Sequence, residues 1–102
     1  MSVEVEVLGR LTNDPDVRFT QTGKTVCNFT VADQDALSKD KAKTSFIPVV
    51  VWNKHGEACG NNLIKGQRVL VKGYWQERSY TDKNNIEKKI VEVVARKVTF
   101  LD

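Results

Sequence analysis

The sequence has little of what most enzymes and every membrane-spanning helix require. One histidine, His55, and two cysteines, Cys27 and Cys59, are its whole stock of imidazole and thiol. They show neither CxxC nor HxE…CxxC spacing, so no zinc site of the structural or deaminase kind is read. No Gly-rich phosphate loop is present. No clustered carboxylates suggest a nuclease metal site. No apolar run approaches the roughly 20 residues of a transmembrane helix. The opening Met1-Ser2-Val3-Glu4-Val5-Glu6 lacks a basic region followed by an apolar one. No secretory leader is read, and a cytoplasmic location is expected. Catalysis, a cofactor and a metal are all unexpected. The two cysteines are expected as buried free thiols.

What is present suits one small globular domain over residues 1–102, enough chain for a single core. Hydrophobic residues make up 40% and charged residues 28%, which excludes disorder by composition. The net charge of +3 is unevenly placed. Met1 to Ile64 carries 7 basic and 8 acidic residues, net −1, whereas Lys65 to Lys97 carries 9 basic and 4 acidic, net +5. A basic last third fits a polyanionic partner, and equally a plain solvated face.

Short β-type runs separated by polar breaks organise the chain. Val3, Val5 and Val7 alternate with Glu4 and Glu6, the period of a strand. Gly9 interrupts that pattern as a bulge or bend would. Thr12-Asn13-Asp14-Pro15 and Gln21-Thr22-Gly23 are turn signals. Thr25–Ala32 reads as a second strand and Ser45–Trp52 as a third. A loop is expected over 33–43. Lys54–Ile64 reads as one short helix with Ala58, Cys59, Leu63 and Ile64 on its apolar side. Gly56 and Gly60 weaken it by up to about 1 kcal/mol each. A long strand bent at Gly73 follows over Val69–Tyr80, then a hairpin loop at Thr81–Asn85 and a last strand over Ile90–Leu101. The class is all-β: a five-stranded OB-fold Greek-key barrel with one helix between its third and fourth strands.

Period two also sorts the side chains of two strands. Ile47, Val49 and Val51 make a core face, which puts Phe46, Pro48, Val50, Trp52 and Lys54 on the other. A barrel has one interior, so Phe46 and Trp52 are expected outside it. In the later strand, Tyr74, Gln76, Arg78 and Tyr80 share a face. Trp75 lies opposite them and is read as core or interface. Aromatics beside bases on an open sheet are the equipment for single-stranded nucleic acid. Bases stack on rings for roughly 1–3 kcal/mol each, and cations hold the phosphates. Each of these residues taken singly also fits a subunit contact or a solvated charge.

The segments LGRLTNDPDVRFTQTGKTVCNFTVA, TSFIPVVVWNK, NNLIKGQRVLVKGY, ERSYTDKNN and VEVVARKVTFL, in that order, resemble the bacterial single-stranded DNA-binding proteins over nearly the whole chain. The resemblance implies an OB-fold, single-stranded DNA as ligand, roles in replication, recombination or repair, no cofactor, and a homo-oligomer, with a tetramer favoured over a dimer. By position it implies that Phe46, Trp52 and Tyr80 stack on bases. It also implies that Arg18, Lys54, Lys65 and Arg78 contact phosphates. Tyr74 joins the candidate DNA-binding set from the face reading.

Three departures accompany it. The family usually continues past the point of Asp102 into a linker and an acidic tip, so tail-dependent protein partners are not expected from this sequence. The stretch Asp33-Gln34-Asp35-Ala36-Leu37 has no aromatic, where some relatives carry another stacking ring. Glu4 and Glu6 lie on the strand that often pairs across a dimer, where like charges repel. An alternative reading is a tailless OB-fold module of a primosome or mobile element that contacts proteins through its sheet edge and binds DNA weakly. No residue identifies a contact to a ribose 2′-OH, so DNA and RNA are not separated.

Overall fold

The computed structural model describes residues 4–33 and 44–102. Its elements are β1 (Glu4–Leu11), β2 (Asp16–Phe19), β3 (Thr25–Asp33), β4 (Ser45–Trp52), α1 (Asn53–Asn62), β5 (Arg68–Thr81) and β6 (Glu87–Phe100). The sheet runs β1-β5-β6-β4-β3-β2, and β1 also bonds β3. That extra pairing, at Arg10↔Ala32 and Leu11↔Val31, closes five strands into a ring. The ring is the expected five-stranded OB-fold barrel, with α1 between its third and fourth strands. One parallel contact, Val49↔Val93 and Val50↔Val94, joins β4 to β6.

The sixth strand, β2, is absent from the sequence reading. It hangs on the outer side of β3 with four exposed residues. All four of its residues are exposed, so no buried face imposes a periodic signal on them. Gly9 does not break β1, which runs through to Leu11. A Cβ there would lie 2.1 Å from the Ala32 carbonyl oxygen. The position is small because β1 crosses close to β3 where the barrel closes. Gly73 does mark an irregularity, a register shift at Lys72/Gly73 in the β5–β6 ladder. Val3 and residues 34–43 of the loop expected over 33–43 lie outside the described residues, while Asp33 is the last residue of β3.

The core forms as period two requires. Cys27, Phe29 and Val31 of β3 meet Ile47, Val49 and Val51 of β4, Val69 and Val71 of β5, Val93 of β6, and Val7 and Leu11 of β1. Val50 departs from the alternation and is also buried, covered where β4 meets β6. α1 caps this core. It ends two residues before the expected Ile64. Leu63 is extended (φ −92°, ψ 148°) and buried, while Ile64 is exposed. Ala58 is exposed too, so the apolar stripe is Cys59 with Gly56. The two glycines that weakened the helix expectation are the ones that seat it. A Cβ on Gly56 would meet the Val51 carbonyl oxygen at 2.4 Å, and one on Gly60 would meet Val17 Cγ2 at 2.3 Å. Helix propensity yields to close packing on β4 and β2.

Both cysteines are free and buried. Burial pushes the Cys27 thiol up to about 11, with the nearby Asp16 charge adding to the rise. Burial raises the Cys59 thiol to about 12, with Cys27 as the smaller cause.

Candidate nucleic-acid interface

The outer surface of the barrel is laid out by strand register. Arg18 of β2 faces Val26 of β3, which faces Trp52 of β4. These three form one row on one face. The next row runs Asp16, Asn28, Val50, Val94 and Tyr74 across five strands. Further along β4 come Pro48 opposite Thr30 and Phe46 opposite Ala32. Trp52 is six positions from Phe46, so the face extends about 20 Å along β4. Phe46 is 66% exposed and Trp52 38%.

Two adjoining grooves follow this face. One is lined by Val26, Asn28, Val50, Trp52, Gln76, Arg78 and Glu92. The other shares Asn28, Arg78 and Glu92 and continues over Thr30, Pro48 and Ile90. The structure thus brings Trp52, Arg78 and the Arg18 row together, with Phe46 at the far end of β4.

Tyr80 stands further out, 44% exposed, on the arm that β5 and β6 make beyond the barrel. Its partner in the ladder is Lys88. The arm ends in a tight turn in which Asp82 Oδ1 accepts from the Asn84 and Ile86 amides at 2.9 and 3.0 Å. Asn85 takes φ +64°, a left-handed conformation that Asn tolerates. The Ile86 amide, then the Asn84 amide and Lys88, hold the Asp82 carboxyl below its ordinary value.

The cations differ in their freedom. Arg18 Nε pairs with Asp16 Oδ2 at 2.9 Å, both side chains exposed. Arg78 Nε donates to Glu92 Oε2 at 2.7 Å and its Nη2 to Oε1 at 3.3 Å. Lys54 and Lys65 are exposed and have no ion pair among the described residues. Period two had carried the β4 face on to Lys54. Instead the chain turns at Asn53 (φ +60°), and Lys54 sits in the first turn of α1, which Trp52 precedes as N-cap.

Of the candidates only Trp52 and Arg78 line the two grooves, and Lys65 and Tyr74 stand apart from them. Lys65 lies past the other end of α1, about 15 Å along a ten-residue helix, where its amide donates to Asp14 Oδ1 at 2.8 Å. Tyr74 is half-buried with the Arg96 guanidinium 5.2 Å from its ring centroid. It faces Glu4 of β1 on its other side. Trp75 is not in the core, being 46% exposed. Sequence reasoning missed Glu92. The signal was there, a lone acid in the apolar run Val91–Ala95. The acidic, ring-free stretch expected to shorten the stacking path lies, apart from Asp33, outside the described residues.

The family model described as the single-strand binding protein family matches residues 3–101. A single-stranded DNA-binding protein of Clostridium tetani is 43% identical over 100 residues, covering 96% of this chain and 69% of the relative. Single-stranded DNA-binding protein 2 of Clostridium acetobutylicum is 40% identical over 98 residues, 94% of this chain and 74% of the relative. Single-stranded DNA-binding protein 2 of Listeria innocua is 38% identical over 104 residues, 100% of this chain and 65% of the relative.

Proposed function

The chain belongs to the single-strand binding protein family, and from that premise we propose that it binds and protects single-stranded DNA without reading its sequence, as replication, recombination and repair require. The observation that carries this reading is the row of exposed Trp52 with Arg18, flanked by Arg78 and continued to Phe46. Rings stack on any base, because every base has a π-face. Phe46, Trp52 and Tyr80 are the stacking platforms. Lys54 and Arg18 hold the backbone on the Trp52 side, the latter by exchanging its exposed carboxylate partner for a phosphate. Lys65 and Tyr74 extend the path around the barrel rather than lining the groove.

The protein works as one OB-fold unit and performs no covalent chemistry: stacking and charge neutralisation need neither metal nor cofactor. Its place is the bacterial cytoplasm, where the ligand is. We propose a homo-oligomer, with a tetramer favoured over a dimer. The support is the edge of β1 from Glu4 to Gly9, which among the described residues bonds β5 on one side only. Lys72 lies 3.4 Å from Glu6 and tempers the like-charge repulsion expected there. Light scattering checks the assembly.

Changing Phe46, Trp52 and Tyr80 together to Ala tests the site. Oligo-dT affinity should fall at least about a hundredfold, given roughly 1–3 kcal/mol per stacked base, while the melting temperature stays put. Undiminished affinity would overturn the assignment.

A further inference from the structure

Glu92 is the only buried charged residue among the described residues, and it lies under the face proposed to hold a polyanion. Its side chain is 2% exposed. A buried carboxylate is costly unless it is paired and hydrogen-bonded, and this one is. Gln76 Nε2 donates to Oε2 at 2.9 Å from directly across the ladder. Arg78 presents its fork to both oxygens. The cluster sits beside Val93 and Val94, the last residues of β6 that touch β4 before the arm begins.

Arg78 and Arg18 are both paired, but the consequences differ. Asp16 is exposed, so a phosphate can replace it on Arg18 with water hydrating the released acid. Drawing Arg78 to a phosphate would leave Glu92 buried with its charge unpaired. The pair therefore persists when DNA binds. Arg78 then remains a plate in the groove, its side chain 48% exposed, with Trp52 on the same groove wall. A guanidinium plane is a stacking surface for a base.

We infer that Glu92 is a positioning residue for the DNA face. It fixes Arg78 as a charge-neutralised platform that contacts bases and withholds its charge from the DNA backbone. The inference rests on the single-strand reading above and replaces the phosphate role that resemblance assigns to Arg78.

Salt dependence tests it, because each phosphate neutralised on a single strand contributes about 0.7 to the log–log slope. The wild type, Glu92→Gln and the double variant Arg78→Gln/Glu92→Gln are titrated with oligo-dT from low to high salt, and thermal melts confirm folding. Glu92→Gln frees a cation, so its slope should steepen by about 0.7. The double variant should keep the wild-type slope and bind more weakly at every salt concentration. An unchanged slope in Glu92→Gln, or a double-variant slope shallower by about 0.7, would overturn the inference. If Glu92→Gln does not fold, the double variant alone decides. A wild type with no salt-sensitive binding would instead sink the single-strand reading itself.

Discussion

One β-hairpin in this protein leads two lives. Near the barrel, Val69, Val71 and Gly73 of β5 are buried, with Val93 and Val94 of β6. Farther out, from Gln76 to Thr81 and from Glu87 to Val91, no residue is buried. Apart from the irregularity at Lys72/Gly73, the backbone ladder runs through both halves, from Val69↔Phe100 to Thr81↔Glu87. Hydrogen bonding is therefore common to the two, and burial separates them. The near half supplies stability and the far half supplies reach, carrying Tyr80 beyond the barrel. The Gln76–Arg78–Glu92 cluster is the joint between them.

Gly73 sets the two halves apart most sharply. A Cβ there would lie 2.0 Å from the Val94 carbonyl oxygen, so Gly73→Val is expected to abolish the cooperative melt. Ser79→Val in the arm should shift stability by no more than about 0.5 kcal/mol, as exposed sites do. Circular dichroism melts check both.

Val71→Ala comes next. Losing a buried side chain's methyls and leaving a cavity should cost about 2 kcal/mol of stability, with oligo-dT affinity retained by the folded fraction. Tyr80→Ala should do the reverse, leaving the melt unchanged and weakening binding about 5- to 150-fold, the equivalent of roughly 1–3 kcal/mol. A Tyr80→Ala variant that melts early but binds normally would erase the distinction between the halves.

Two smaller effects sharpen it. The Asp82 carboxyl is held below 3.8, its ordinary value, by the turn amides. A lowered folded value means that its contribution is present above the ordinary value and fades as pH falls through the folded one. Amide exchange at Asn84 and Ile86 should therefore lose protection below about pH 4, with the barrel amides unaffected. Cys27 and Cys59 should resist alkylation at neutral pH. Their raised values lower stability only as pH climbs past the ordinary 9.0 toward about 11 and 12. Labelling should follow global unfolding.

The same contrast decides what was legible in the sequence. Where burial enforces alternation, as in Cys27-Phe29-Val31 and Ile47-Val49-Val51, the pattern named the strand and its inner face. Where no burial acts, as in Asp16–Phe19, the strand left no trace. The helix was blurred because Gly56 and Gly60 serve contact rather than propensity. For the site, Phe46 and Trp52 were legible as rings on the outward parity of a core strand. Lys54 was expected on the β4 face, but the alternation stops at Asn53, where the chain turns into α1. Glu92 went unseen because a buried acid needs partners from other strand positions, and those appear only when the ladder is assembled.

In the proposed site Trp52 stacks on single-stranded bases, and its fluorescence reports that contact directly. Trp52 and Trp75 are the two tryptophans, so Trp75→Phe leaves Trp52 as sole reporter and Trp52→Phe removes it. Fluorescence is followed while oligo-dT, or duplex of matched length, is added to each at several salt concentrations. Strong quenching by the single strand alone is expected in Trp75→Phe, with loss of that quenching in Trp52→Phe, and affinity should fall linearly with salt on logarithmic axes. Quenching that survives in Trp52→Phe and vanishes in Trp75→Phe, or equal quenching by duplex, would contradict stacking at Trp52.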